Sequence, residues 1–425
     1  MRSSAPADAP RGVRLAAALL FAVPFLVYIA GFRYMGSGDT TASELLAVSL
    51  VREGDFDFDE FFEPGEEMPY AFTRSGDRIV NLYTVVPGMM NVPVFLAADL
   101  AGVDLEASLP VLNKISMSLL AALSVTLMFR ILLKAGTPFR RAVLLSLVYA
   151  FGTLVWSSAA RGTWQHGPSI LFLCAAILLL LDGRPRREAW SGLFLALMCV
   201  NRPANVFLVG PIFLYLLLHR RRRLPAILAT ALIPLAFLAW YSLEYWGSLL
   251  SLGQGQHGKF WGDPLLAVPG MLVSPARGLL VFSPVFAFSL VYMVRVLPRR
   301  GADSLHRWLA IGFAVTLVGY AFWERWSGGH CFGYRYLSEF IPVLTLFLAA
   351  GWDRFVARRR WTRAAFWVAV AASVYFNFLG AFVFPSGFDH IPNDIDFHPE
   401  RLWTVGDTEL TRCHQRLVEF VSSRL

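Results

Sequence analysis

Asp39 stands in the segment Gly38-Asp39-Thr40-Thr41, just after a long apolar run that ends near Ala30. A carboxylate at the start of an acidic loop, next to a hydrophobic helix, is a candidate general base. The same residue type caps helices well. Thr41–Val51, with Leu45, Val48 and Leu50 at helical spacing, offers a helix to cap, so both roles are open. Cations stand at three later loop tips. Arg161 and His166 share Arg161-Gly162-Thr163-Trp164-Gln165-His166-Gly167-Pro168, and Arg202 lies in Asn201-Arg202-Pro203-Ala204-Asn205. His330, Tyr334 and Arg335 follow Glu324 and Arg325. Charged groups near a bilayer interior are costly, so they tend to line a cavity or pair with one another. One such arginine can simply snorkel to the interface. Three of them opposite an acidic loop suit an anionic headgroup such as a lipid phosphate.

The elements that must position these residues are apolar helices. The 425-residue chain is 56% hydrophobic and 16% charged, whereas soluble domains carry about 25% charged residues. Apolar runs near bilayer-crossing length predict an all-α polytopic membrane protein with about eleven transmembrane helices. The spans fall near Val13–Ala30, Val111–Leu133, Ala142–Ala159, Ile170–Leu181, Trp190–Val200, Val206–Leu218, Leu224–Tyr241, Leu279–Val296, Trp308–Phe322, Phe340–Ala350 and Ala364–Phe384. The first run has a basic flank but no small-residue cleavage site after it, and reads as an uncleaved helix rather than a signal peptide. Val85–Leu100 is also apolar. Counting it as a crossing would put later arginine clusters on the wrong side, so it reads as an interfacial or re-entrant helix with an irregular start at Pro87, Gly88 and Pro93.

The net charge of +8 is no nucleic-acid footprint, because the basic residues crowd into short connections. These include Arg130 to Arg141, Arg184 to Arg187, Arg220 to Arg223, Arg295 to Arg307 and Arg354 to Arg363. Such loops mark the cytoplasmic side. The N-terminus is then inside and the tail from Pro385 outside. Residues 1–384 form a membrane module, with residues 31–110 as a large first extracytoplasmic loop, and residues 385–425 form an extracytoplasmic tail. In loop one, Thr41–Val51 reads as an amphipathic helix on the membrane, Arg74-Ser75-Gly76-Asp77 as a turn and Ile79–Val85 as an extended piece. Loop four carries Gly253, Gly255, Gly258 and Gly262 with Gln254, His257 and Lys259, in no nucleotide-binding pattern. Cys174 and Cys199 read as packing residues, while Cys331 and Cys413 share the outer side and are available for a disulfide. The histidines at 166, 257, 330, 390, 398 and 414 are scattered, so no metal or other cofactor is signalled.

At this point the chain resembles a family, the lipid-phosphate-sugar-dependent glycosyltransferases of the GT-C fold. These include the protein O-mannosyltransferases, the aminoarabinose transferases and bacterial relatives. Asp39, the helix after it and Gly54-Asp55-Phe56 match the family's first-loop pattern in order and approximate spacing. Tyr83-Thr84-Val85-Val86-Pro87-Gly88 is similar to its Tyr-Pro-Pro-Gly segment. Trp164 to Pro168, Ser274 to Leu279 and Gly333-Tyr334-Arg335-Tyr336-Leu337 resemble segments of the bacterial relatives. There are departures: Thr40 replaces a second acid, Val86-Pro87 replaces the proline pair, and no lysine stands beside it. The resemblance implies a GT-C-like bundle in the cell's inner or plasma membrane and an inverting transfer, on the outer face, from a polyprenyl-phosphate sugar.

The chemistry of such a donor needs one base. A lipid phosphate is already a good leaving group if cations stabilise it, and a single displacement needs no second carboxylate as nucleophile. Asp39 is the expected base. Arg202, Arg335 and Arg161 are expected to bind the donor phosphate, and His166, Tyr83, Tyr334, His330 and Asp55 to bind substrate. The partners are membrane lipids, the donor, and a lipid, glycan or protein acceptor, with no nucleic acid. The alternative is a transporter or flippase of a lipid-linked glycan that grips the headgroup without catalysis.

Overall fold

The computed structural model describes residues 11–31, 33–63, 65–249, 260–298 and 304–424. The loop-four residues Gly253 to Lys259 lie outside them, as do Arg299 and Arg300. Seventeen α-helices and one two-stranded hairpin make up the described chain. In order they are α1 (Arg11–Ala30), α2 (Thr41–Arg52), the hairpin β1 (Phe72–Ser75) and β2 (Arg78–Asn81), α3 (Val86–Leu100), α4 (Leu109–Lys134), α5 (Phe139–Phe151) and α6 (His166–Asp182). Then come α7 (Pro185–Ala189), α8 (Ser191–Asn201), α9 (Val206–His219), α10 (Leu224–Trp246), α11 (Pro264–Val273) and α12 (Leu279–Phe282). The last five are α13 (Ala287–Val296), α14 (Ser304–Ala321), α15 (Ile341–Gly351), α16 (Arg360–Phe382) and α17 (Glu409–Ser422).

Four helices, α1, α4, α10 and α16, are long and apolar enough to cross a bilayer, and six apolar segments are shorter. Their outward faces stay greasy: Leu232 is 62% exposed and Val368 70%. A helical bundle with such faces belongs in lipid, where every backbone polar group is satisfied within its own helix. One large apolar core runs through the bundle, and two smaller ones lie under loop one.

Several expected spans differ for local reasons. Leu279–Val296 is broken at Ser283-Pro284, because proline lacks the amide that would continue α12; a 3-10 turn at Pro284–Phe286 leads into α13. Ala142–Ala159 ends as a helix at Phe151, and its last residues form a π-turn at Val155–Ala159. In loop one the expected turn at Arg74–Asp77 closes the hairpin, with Ser75 opposite Arg78. Val85–Leu100 is a helix from Val86. Pro87 occupies its first turn, where a missing amide costs nothing. Gly88 lets α3 lie directly on α2: a Cβ there would meet Leu46 at 2.6 Å and the Ser43 carbonyl at 2.9 Å.

The bundle has two unlike ends. At one end, ion pairs join the arginine-rich connections: Lys134–Asp182, Arg187–Asp182, Arg141–Asp353 and Arg223–Glu188. The other ends of α6, α8 and α9 carry His166, Arg202 and Val206. The tail docks at that end too. Arg277, almost wholly buried, donates to Asp389 at 2.5 Å and lies 3.4 Å from Glu409 at the start of α17. The Ser386 hydroxyl donates to Glu409 at 2.7 Å. All four cysteines are free thiols, so the Cys331–Cys413 disulfide is not formed. Cys331 Sγ instead lies 3.8 Å from the Ser327 and Gly333 carbonyls.

One guanidinium facing two buried acids leaves an acid in surplus. Burial, then the charge of Asp389, pushes the Glu409 carboxyl up to about 8, with Arg277 only partly offsetting this. In an undocked tail Glu409 titrates near 4.3. Between those values the docked state binds more protons, so docking is strongest below the window and weakens as pH rises through it. Glu409→Gln should remove this dependence. Hydrogen-exchange protection of Glu409–Ser422, compared on both sides of the window in the two proteins, checks it; equal pH sensitivity in both would defeat the assignment.

Candidate functional site

A cavity of about 1420 Å³ opens where loop one, the 161–166 segment, the 202–207 segment and the 325–336 segment meet. Small-molecule pockets usually span about 300–1,000 Å³, so this one has room for two reactants. Its polar wall holds Asp39, Tyr70, Tyr83, His166, Arg202 and Arg335, and its apolar wall holds Val206, Phe207, Tyr320, Trp323 and Tyr336.

Asp39 sits in a 3-10 turn, Gly38–Thr40, that leads into α2. The chain before it is pinned to the 161–163 segment. The Met35 amide donates to the Arg161 carbonyl at 2.8 Å, and the Tyr34 hydroxyl donates to Thr163 at 3.1 Å. Lys114 of α4 holds the adjoining Ala160 carbonyl at 2.9 Å. The carboxylate is spent on the cavity rather than on helix amides. Oδ1 accepts from Tyr70 at 2.5 Å and Tyr83 at 3.0 Å, and Oδ2 accepts from Arg335 at 2.8 Å. Burial alone would raise its pKa; the Arg335 charge and the two phenol donors outweigh that and hold it below the usual carboxylate range. Burial, and then the same carboxylate, raises both tyrosines, so they remain donors. A Cβ at Gly38 would press on the Tyr70 ring and displace it from Asp39.

A chain of alternating charge continues from Arg335. Its guanidinium stacks 4.1 Å from the Trp164 ring centre, donates from Nε to His166 Nε2 at 3.2 Å and reaches the Gly328 carbonyl at 3.1 Å. His166 Nε2 is therefore an acceptor, which leaves the proton on Nδ1. That proton is donated to Glu339 Oε1 at 2.7 Å. Arg202 donates to the same oxygen at 2.6 Å, under the stacked rings of Tyr320 and Tyr336. Burial would raise the Glu339 carboxyl, but Arg202 and then His166 draw it down to about 2. Two carboxylates and two guanidiniums thus alternate, with a neutral imidazole between; Glu339 is buried behind the wall that the other four form.

Of the residues expected from the sequence, Asp39, Tyr83, His166, Arg202, His330 and Arg335 line this cavity. Arg161, Tyr334 and Asp55 do not. The Arg161 donors are taken by the backbone carbonyls of Gly380, Phe384 and Arg33, so it ties the 161 segment to the end of α16. Tyr334 is buried, with its hydroxyl 2.8 Å from Ser283. Asp55 accepts from Ser49 at 2.9 Å at the C-terminal end of α2. Sequence reasoning missed Glu339 and Tyr70. Glu339 stands four residues after Arg335, directly before an expected span, which was the available signal; Tyr70 had none.

Arg202 and Glu339 are 10% and 3% exposed. Removing one partner of such a buried pair strands the other charge, at about 3–5 kcal/mol. Arg202→Ala should therefore lower the thermal stability of the purified protein sharply, and adding Glu339→Gln should restore much of it. Additive losses in this double-mutant cycle would contradict the pairing.

No protein-family model and no curated protein sequence matches the chain. Among solved structures, the crystal structure of ArnT from Cupriavidus metallidurans bound to undecaprenyl phosphate is similar to it, with a TM-score of 0.54 and 14% identity. The match covers 89% of this chain and 71% of that one. At that identity the likeness speaks for the fold: the chain is a helical membrane protein with the architecture of ArnT, the GT-C fold that the sequence resemblance implied.

Proposed function

We propose that the protein is a membrane glycosyltransferase that moves a sugar from a polyprenyl-phosphate donor to an acceptor hydroxyl, by inverting single displacement on the extracytoplasmic face. The observation that carries this reading is Asp39, an ionised carboxylate opening into a large cavity beside two arginines. The similar ArnT structure holds undecaprenyl phosphate, which supports a lipid-linked donor here. In this reading the chain crosses the membrane about eleven times, with its N-terminus inside and the tail after residue 384 outside.

Arg335 and Arg202 hold the donor phosphate, and Asp39 takes the acceptor proton as the hydroxyl attacks the anomeric carbon. Arg161 no longer belongs to this set, because its donors are spent on backbone. His166, Tyr83 and His330 line the same cavity and contact the substrates. With Arg335 at 2.8 Å, Asp39 is a weak base. A phosphate arriving at Arg335 competes for that guanidinium. Asp39 loses part of its strongest stabilisation and grows more basic as the donor binds. The apolar wall at Val206, Phe207 and Trp323 receives the prenyl chain.

The test is reconstituted protein incubated with radiolabelled polyprenyl-phosphate sugars and membrane extract as acceptor. New glycoside supports the reading; translocated but intact lipid, or neither outcome, overturns it. Asp39→Asn keeps the side chain's shape without its basicity. It should cut transfer at least about 10²-fold in protein that keeps its fold, with a lower melting temperature because Arg335 loses its counter-charge. Wild-type transfer by that variant would remove Asp39 from the chemistry.

A further inference from the structure

One cluster of metal-ligating side chains lies at the cavity rim, sharing only His330 with the residues proposed above to contact the substrates. His330, His390 and Asp394 each offer one ligand atom, and these atoms all lie within 4.8 Å of one another. His330 comes from the glycine-rich loop after α14, His390 and Asp394 from one turn of the tail. His330 Nε2 is 2.9 Å from Asp394 Oδ1, and His390 Nδ1 is 3.4 Å from Oδ2. The two imidazoles sit 4.3 Å apart, centre to centre.

We propose that these three residues bind a divalent transition-metal ion of the Zn²⁺ class, which clips the C-terminal tail to the rim of the cavity. Three observations favour a metal over an ordinary hydrogen-bonded cluster. The donor set is two imidazoles and a carboxylate, the ligand type that Zn²⁺ takes at about 2.0–2.2 Å, commonly with a fourth position for water or substrate. Both backbones are shaped to bring the ligands together. Gly328 (φ +84°) and Gly329 (φ +68°) turn the chain just before His330, and Gly387 (φ +77°) opens the turn that carries His390 and Asp394. The carboxylate is also oriented, since its Oδ1 accepts from the Asp396 amide at 2.9 Å. Asp396 itself is paired with Arg325 at 2.9 Å, which keeps that cation away from the ligands. His330 lines the cavity, so the fourth coordination position lies at its edge. Coordination stands or falls independently of the glycosyl-transfer reading.

The experiment uses the full chain in detergent, purified without a polyhistidine tag, stripped with a chelator, and titrated with Zn²⁺ and separately with Co²⁺. The expected result is about one ion per chain, a rise in melting temperature on binding, and visible d–d absorption from a tetrahedral Co²⁺ site. His390 is the most solvent-exposed ligand, its side chain 64% exposed, so His390→Ala should fold normally. It should weaken binding at least about 10²-fold, the upper range for losing even an outer partner of a metal ligand. His330→Ala should do the same, while His398→Ala, outside the cluster, should leave binding unchanged. Absent Co²⁺ bands, or affinity retained in His390→Ala, would overturn the site.

Discussion

The ion pair between Asp39 and Arg335 joins residues 296 positions apart in the chain. It is the contact on which the cavity depends. Loop one supplies the carboxylate and the segment before α15 supplies the guanidinium, so the two halves of the polar wall meet there. Each group is mostly withdrawn from water, 26% and 18% exposed. A charge in that state is tolerated only with a partner and further hydrogen bonds. Tyr70, Tyr83, His166 and the Gly328 carbonyl provide them, and the Trp164 ring stacks on the guanidinium. The same requirement explains the second pair, where Glu339 holds Arg202 and orients His166. Neutralising each cation locally lets a bundle built for lipid keep four formal charges at and just behind one wall.

This arrangement sets the electrostatics that a ligand meets. The free cavity is close to neutral along its polar wall, because each guanidinium faces a carboxylate. In the function proposed, an anionic headgroup enters by exchanging partners rather than by filling a vacant positive pocket, and that exchange at Arg335 couples donor binding to the basicity of Asp39. A fixed, fully exposed carboxylate would lack that link. The aromatic rings over both guanidiniums add attraction without hydrogen-bonding demands.

The arginines also show why residue type alone misleads. Arg161, Arg202 and Arg335 look alike in sequence, each at a loop tip after or before an apolar run. Arg202 and Arg335 reach the cavity. Arg161 is turned inward to satisfy carbonyls at the end of α16 and the start of loop one, where the helices leave backbone acceptors unpaired. Its work is structural: it fixes the segment to which Met35 and Tyr34 are tied, and through them the approach to Asp39. Arg277 does comparable work for the tail. Such residues are indistinguishable from ligand-binding cations until the carbonyls around them are known.

Local chemistry along the chain was enough to determine the helical membrane character, the clustering of arginines at one end, the turn at Arg74–Asp77 and the helix that follows Asp39. Those properties follow from hydropathy, from backbone preferences at Gly and Pro, and from the cost of a charge near lipid. They need only neighbours a few residues away. Tertiary structure alone decided that Asp39 faces Tyr70 and Arg335 instead of capping α2, that Glu339 pairs with Arg202 and His166 behind the wall, and that Cys331 and Cys413 stay unpaired. It also brought His330 beside His390, two histidines that looked scattered, and beside Asp394. The physical reason is the same in each case. A buried polar group takes whichever partner packing brings within about 3 Å, and in this bundle those partners come from opposite ends of the chain.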